Sequence, residues 1–270
     1  MSDRLEPTRA APAPGGVPLR LVVVPTEHGG WSLLGEPVLL GLLVAPSGSG
    51  ALVAVAALAA FLSRQPLRLF VSDRSRGKVY PRTRLAERAF GVLAVVAAAA
   101  MAGAVATAHG RLLVAAAMAA PLGVAALAFD LGKRSREAAG ELAGALALGA
   151  VAAIVALAAG TPMARSLALW GVLACRAVPT ILFVRARLRL EKGQPAGVAG
   201  AIVAHLLAIG IVVLMIRRQL APWAVAWAMV LLLARTIGGL SPARPRLKAW
   251  QLGASEAAFG LVVVLAAAQH

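Results

Sequence analysis

Acidic residues are scarce in this chain: 11 Asp and Glu stand against 27 Lys and Arg in 270 residues, a formal charge of +16. Aromatic side chains make up only 4%. Cys175 is the single cysteine, which excludes an intrachain disulfide and a thiolate metal cluster. Lying within an apolar run, it is expected to pack as a small hydrophobe. The shortage of aromatics also argues against nucleic acid as a partner. Proteins that bind it gather their cations on one surface with stacking rings. Here the basic residues fall in short clusters between apolar runs, with only Tyr80 and Trp250 nearby.

What is abundant is apolar sequence. Hydrophobic residues reach 60%, well above a soluble domain. A membrane span needs roughly 20 apolar residues, about 30 Å at 1.5 Å per residue. Spans are expected at about 29–45, 50–70, 88–108, 111–129, 137–159, 162–184, 195–216, 221–238 and 250–268. Turn residues close them, among them Pro46-Ser47-Gly48, Gly160-Thr161-Pro162 and Ser241-Pro242. The expected class is an all-α, polytopic membrane helical bundle of about nine helices. Residues 1–20, rich in Pro, Ala and Gly, read as a disordered tail, and 21–270 as a single transmembrane domain. The apolar stretch Leu21 to Val24 is too short for the core of a cleaved signal peptide.

Positive charge sets the orientation. The tail and the loops after the second, fourth, sixth and eighth spans hold nineteen basic residues; the alternate loops hold four, Arg111, Arg165, Arg217 and Arg218. Retention of Arg and Lys on the cytoplasmic side then places the amino terminus inside and the carboxyl terminus outside.

Four basic residues remain within the spans: Arg64, Arg68, Arg176 and Arg235. Glu27, Glu36, Glu141 and Glu256 occupy similar positions, with Asp130 and Glu137 at helix ends. Counted from the cytoplasmic ends at ~1.5 Å per residue, Glu36 and Arg176 lie ~12 Å deep and Arg64 and Glu256 ~9 Å. Glu141 and Arg235 come out at ~6 and ~5 Å. All fall in the cytoplasmic half. A lone charge at mid-bilayer costs roughly 2.5–3.5 kcal/mol, so eight would exceed the stability of a typical domain. The deeper groups are therefore expected to face one another or a hydrated cavity. Arg68 and Arg235 are expected to snorkel to the interface.

Two readings follow. The charges are structural ion pairs that set helix register, or they line a cytoplasm-facing polar cavity. Intramembrane ionisable residues favour the second. Arg64 and Arg68 share one helix face around Pro66, a spacing suited to a phosphate or carboxylate. Pro66 and Pro179 free carbonyls beside charged residues. Glu27 and His28, next to Gly29-Gly30, form a polar mouth at the first span, with Thr26 as a helix cap and Trp31 as an interface anchor. His28 lacks a partner at metal-ligand spacing, so no metal is assigned. His205 is expected to be a hydrogen-bonded core residue. Gly140 and Gly144 permit close helix approach. Arg185 to Arg189 read as the solvated end of the sixth span.

With these residues in view, the chain resembles the YwiC-like family of bacterial integral membrane proteins. The likeness rests on Pro25-x-Glu27-His28-Gly29-x-Trp31, on Arg64-x-Pro66-Leu67 and on Gly253-x-x-Glu256. It implies the bacterial plasma (inner) membrane, and it implies no activity. More distantly, the chain is similar to the UbiA prenyltransferase superfamily, nine helices around a cytoplasmic cavity. Phe129-Asp130 through Gly140-Glu141 resembles that superfamily's segment between its fourth and fifth helices. Where those enzymes carry two aspartate-rich, magnesium-binding motifs, this chain has Arg64, Arg68, Ser72 and Asp73, then Arg185 and Arg189. One aspartate is too few for magnesium, so ordinary magnesium-dependent transfer is not expected.

The expected site comprises Glu27, His28, Glu36, Arg64, Arg68, Arg176, Glu141 and Glu256. Arg64, Arg68 and Arg176 would hold the acidic group of an amphipathic or anionic, isoprenoid-like ligand; the carboxylates and His28 would balance charge or move protons. A divergent transferase fits this arrangement. The alternatives are a proton-coupled transporter running through Glu36, His205 and Arg176, and a structural membrane subunit. The residues name no cofactor and leave open whether a bond is made or broken.

Overall fold

The computed structural model describes residues 18–25, 28–108, 110–245 and 247–269. The expected tail lies outside these residues up to position 17, as do Thr26 and Glu27. The described residues form ten helices and no strand. A five-residue helix, α1 (Leu19–Val23), precedes the bundle; its Val22 is buried, and the helix rests on α3 and α4. It was not expected, because five residues carry too little pattern to announce a helix.

The nine expected spans correspond to α2 (His28–Val44), α3 (Gly48–Arg74), α4 (Pro81–Thr107), α5 (Leu112–Leu131), α6 (Ala138–Ala158), α7 (Met163–Glu191), α8 (Val198–Arg217), α9 (Trp223–Leu240) and α10 (Ala249–Ala267). Eight are long and apolar enough to cross a membrane by length and composition. The other, α2, is apolar and 17 residues long. The chain is thus an all-α, multi-pass membrane protein.

Several helices outrun their apolar stretches. α3 continues to Arg74, α4 begins at Pro81 and α7 reaches Glu191. At ~1.5 Å per residue, α3 and α4 are about 40 Å long, longer than a hydrocarbon core. Arg82 and Arg84, expected in the loop between the second and third spans, belong to α4. Local chemistry drives this extension. Pro81 stands at the first helical position, and the Tyr80 N–H donates to the Thr83 hydroxyl at 3.0 Å. Hydropathy locates the membrane, whereas hydrogen bonding decides where the helix ends.

α6 is the centre of the bundle. Every residue from Gly149 to Ala158 is buried, mostly Ala and Val, so neighbouring helices come close on all sides. α2 packs on α6 through Gly41, where a Cβ would meet Val155 at 2.7 Å. The Ser49 hydroxyl, near the start of α3, donates to the Ala158 carbonyl at 2.8 Å. α3 and α4 form a long hairpin, and α5 covers another side of α6. α7 lies between α6 and the pair α8 and α9, and α10 returns against α2 and α9. Gly160, at φ +87°, makes the left-handed turn between α6 and α7. Outward faces carry Val95, Val124 and Leu207, each more than 60% exposed, as a lipid-facing surface requires.

Candidate functional site

The ionisable residues within the bundle separate into two groups. The first lies where the ends of α3 and α5 meet the loop 132–137. Arg64 donates through Nε to Asp130 Oδ2 at 2.8 Å, and its terminal nitrogen contacts the same oxygen. Asp130 is buried, while the Arg64 side chain keeps 37% of its surface exposed. One turn further along α3, Arg68 donates to the Gln65 side chain at 3.1 Å. A narrow opening runs between Pro25, Gly30, Phe61, Arg64, Gln65, Arg68 and Asp130. Trp31 and Phe61 pack edge to face beside it, with centroids 5.4 Å apart.

A larger cleft of about 490 Å³ adjoins that opening and shares Arg68 and Asp130 with it. Its walls are Leu69, Val71 and Ser72 of α3, Leu131 of α5, and Lys133 to Glu137. Within the loop, Arg134 donates to Glu137 at 2.5 and 2.9 Å. That guanidinium holds the exposed Glu137 carboxyl below its usual range. Lys133 and Arg136 form no ion pair among the described residues. The loop is tied down from behind: Arg185 of α7 donates to the Arg136 carbonyl at 2.8 Å and to Glu141 at 2.9 Å. Close packing of α5 on α6 fixes its base, since a Cβ on Gly140 would meet Phe129 at 2.9 Å. Glu141, expected as a ligand contact, therefore acts on Arg185 and through it on the loop.

The second group is a buried layer across five helices. Arg176 of α7 pairs with Glu36 of α2 at 2.8 Å and donates to the Glu256 carbonyl of α10 at 2.8 Å. The Glu256 carboxylate accepts from Arg235 of α9 at 2.8 Å. Arg235 stacks over Phe183, 4.1 Å from the ring centroid, and reaches the Thr180 hydroxyl at 3.4 Å. The adjacent Thr236 hydroxyl lies 3.1 Å from Nε2 of His205 on α8. Nδ1 of His205 faces the Ala201 carbonyl at 2.8 Å, which requires the proton on Nδ1 and leaves Nε2 to accept from Thr236 in the neutral ring. His205 is thus a hydrogen-bonded core residue, as the sequence suggests.

This separation corrects the expectation of one shared pocket. Neither opening is lined by Glu36, Arg176 or Glu256. Arg176 is 3% exposed and committed to Glu36 and Glu256, so it does not join Arg64 and Arg68. Arg235 was expected to snorkel and instead turns inward at 10% exposure, because Glu256 and two aromatic faces offer it partners. Nor is the run Arg185 to Arg189 all solvated. Arg187 is buried, paired with Glu191 at 3.0 Å, and donates to the Gly239 and Pro245 carbonyls. Glu27 lies outside the described residues, and of His28 only the backbone, at the start of α2, is described.

Sequence reasoning also missed Lys133 and Arg136 as cleft residues and Asp130 as the partner of Arg64. The signal available for Lys133 and Arg136 was a basic loop, which topology alone already explains. Asp73 is buried at the tip of α3. Both its oxygens are taken, by Arg82 at 3.0 and 3.1 Å and by the Thr83 hydroxyl at 2.8 Å. It closes the α3–α4 hairpin.

No curated protein and no solved structure matches this chain. A family match does exist: residues 24–156, from the start of α2 through most of α6 and including Arg64, Asp130 and the cleft loop, fit the family described as YwiC-like protein. Over that stretch, just under half of its length, the chain is similar to the YwiC-like family.

Proposed function

We propose that the chain, as a single membrane domain over residues 21–270, binds an amphipathic, anionic, isoprenoid-like ligand in a cytoplasm-facing cleft between α3, α5 and the loop 132–137. One observation carries this reading. Lys133 and Arg136 line a cleft of about 490 Å³ and have no carboxylate partner among the described residues. Cations left uncompensated beside a bilayer attract an anion, and the apolar wall of Leu69, Val71 and Leu131 suits its hydrocarbon part. Arg64 and Arg68 line the narrow opening that adjoins the cleft, with Arg64 paired to Asp130.

A divergent UbiA-like transferase is the activity this reading accommodates. Asp73, the residue nearest to a magnesium ligand at that position, is occupied by Arg82 and Thr83, so the basic side chains would carry the anion by themselves. Glu36, Arg176, Glu256 and Arg235 would then serve as the support that holds α2, α7, α9 and α10 in register.

Native mass spectrometry of the purified protein tests the reading. Wild type is expected to retain an anionic amphipath that the Lys133→Gln, Arg136→Gln double variant loses. Equal retention by the double variant would remove the cleft as its site.

A further inference from the structure

Resting on the cleft as the ligand site, the structure points to a narrower ligand class: we propose that it takes a phosphomonoester headgroup, a dianion, in preference to a singly charged phosphodiester or carboxylate. Charge balance at the cleft selects the dianion. Among the cations at the cleft, Arg64 is compensated by Asp130 and Arg134 by Glu137, while Arg68 is engaged at the boundary with the narrow opening, where it donates to Gln65. Lys133 and Arg136 are left, two positive charges on one loop with no carboxylate partner among the described residues. Two uncompensated cations at one opening are matched by two negative charges on one group. A phosphomonoester supplies them above its second ionisation near pH ~6, together with three acceptor oxygens. Ser72 of α3 and Ser135 of the loop line the same cleft, and their hydroxyls are of a type that donates to such oxygens.

The surroundings favour a lipid as the source. Leu131 forms part of the cleft wall, and Leu127 and Val124 follow it along one face of α5 at spacings of four and three residues. All three are exposed, Val124 at 68%, and they make an apolar track from the cleft toward the bilayer. A soluble phosphomonoester would need only the headgroup part of the site.

The test compares lipid retention in nanodiscs of phosphatidylcholine doped equally with phosphatidic acid, a monoester, and phosphatidylglycerol, a diester. Wild type is expected to enrich phosphatidic acid about fivefold over phosphatidylglycerol at pH 8, as befits one added exposed charge pair. The preference should shrink toward parity as pH falls below ~6, where the monoester loses its second charge. Charged groups of the cleft, namely Arg68, Asp130, Lys133, Arg134, Arg136 and Glu137, and Arg64 in the adjoining opening act on both lipids, so the ratio isolates the headgroup. Lys133→Gln and Arg136→Gln should each lower the ratio, whereas Lys192→Gln, on another loop, should not. Equal enrichment of both anionic lipids would overturn the monoester class and leave the cleft standing. Enrichment of neither would overturn both. Displacement of the phosphatidic acid by millimolar glycerol 3-phosphate would support the monoester class and assign it to a soluble source.

Discussion

Arg176 on α7 and Glu36 on α2 form an ion pair at 2.8 Å, with both side chains less than a tenth exposed. Two helices far apart in sequence are thereby joined inside the membrane, and α10 is drawn in when Arg176 takes the Glu256 carbonyl. Removing one partner of a buried pair leaves an uncompensated charge, which costs about 3–5 kcal/mol. Glu36→Leu and Arg176→Leu should each lower stability by that order. The double variant should cost much less than their sum. Thermal unfolding in detergent, read as a double-mutant cycle, checks this.

Gly260 of α10 makes room for the same pair. A Cβ at that position would overlap the Glu36 carboxylate and lie 2.6 Å from the Arg176 guanidinium. Gly260→Ala is therefore expected to destabilise by about 1–3 kcal/mol, against the usual gain from placing Ala in a helix. A melting temperature equal to or above that of wild type would contradict this packing.

Arg64 and Asp130 offer a test of the cleft's charge. Asp130→Asn keeps the side chain's shape and leaves Arg64 without its counter-charge. Affinity for an anionic amphipath is expected to rise by up to about fivefold, while Arg64→Gln lowers it. Titration with a fluorescent anionic lipid analogue measures both. A fall in affinity for Asp130→Asn would mean that Asp130 touches the ligand itself.

The Arg134–Glu137 bridge sets a pH window. The guanidinium lowers the folded-state pKa of Glu137, so its contribution is present above the ordinary carboxylate range and fades as pH falls through the depressed value. Carbon-detected NMR of the labelled side chain should show Glu137 losing its charge at lower pH than in an Arg134→Gln variant. Coincident titrations would show the bridge absent in solution.

Orientation can be read directly. With the basic loops inside, a cysteine at Gln219 should react with an impermeant maleimide added to intact cells, and one at Lys192 only after lysis. Cys175 is buried and contributes little background. The reverse pattern would turn the cleft toward the outside.

Much of this architecture was legible from residues alone, because burial in lipid imposes simple rules. Apolar runs closed by Gly160-Thr161-Pro162 or Ser241-Pro242, and the alternation of basic loops, located the helices and suggested which ends share a face. The same pattern marked Glu36, Arg176 and Glu256 as groups that must be satisfied inside the bundle. Periodicity says which side of a helix is buried, but it does not say which other helix covers it. Arg176 chose Glu36, Arg64 chose Asp130, and Arg235 turned to Glu256 through packing between residues 21 to 140 positions apart. Only the folded chain decided that the charges divide into a sealed layer and an open cleft. Charge pairing is short-ranged in space and blind to sequence distance, so tertiary structure left Lys133 and Arg136 without a carboxylate partner among the described residues.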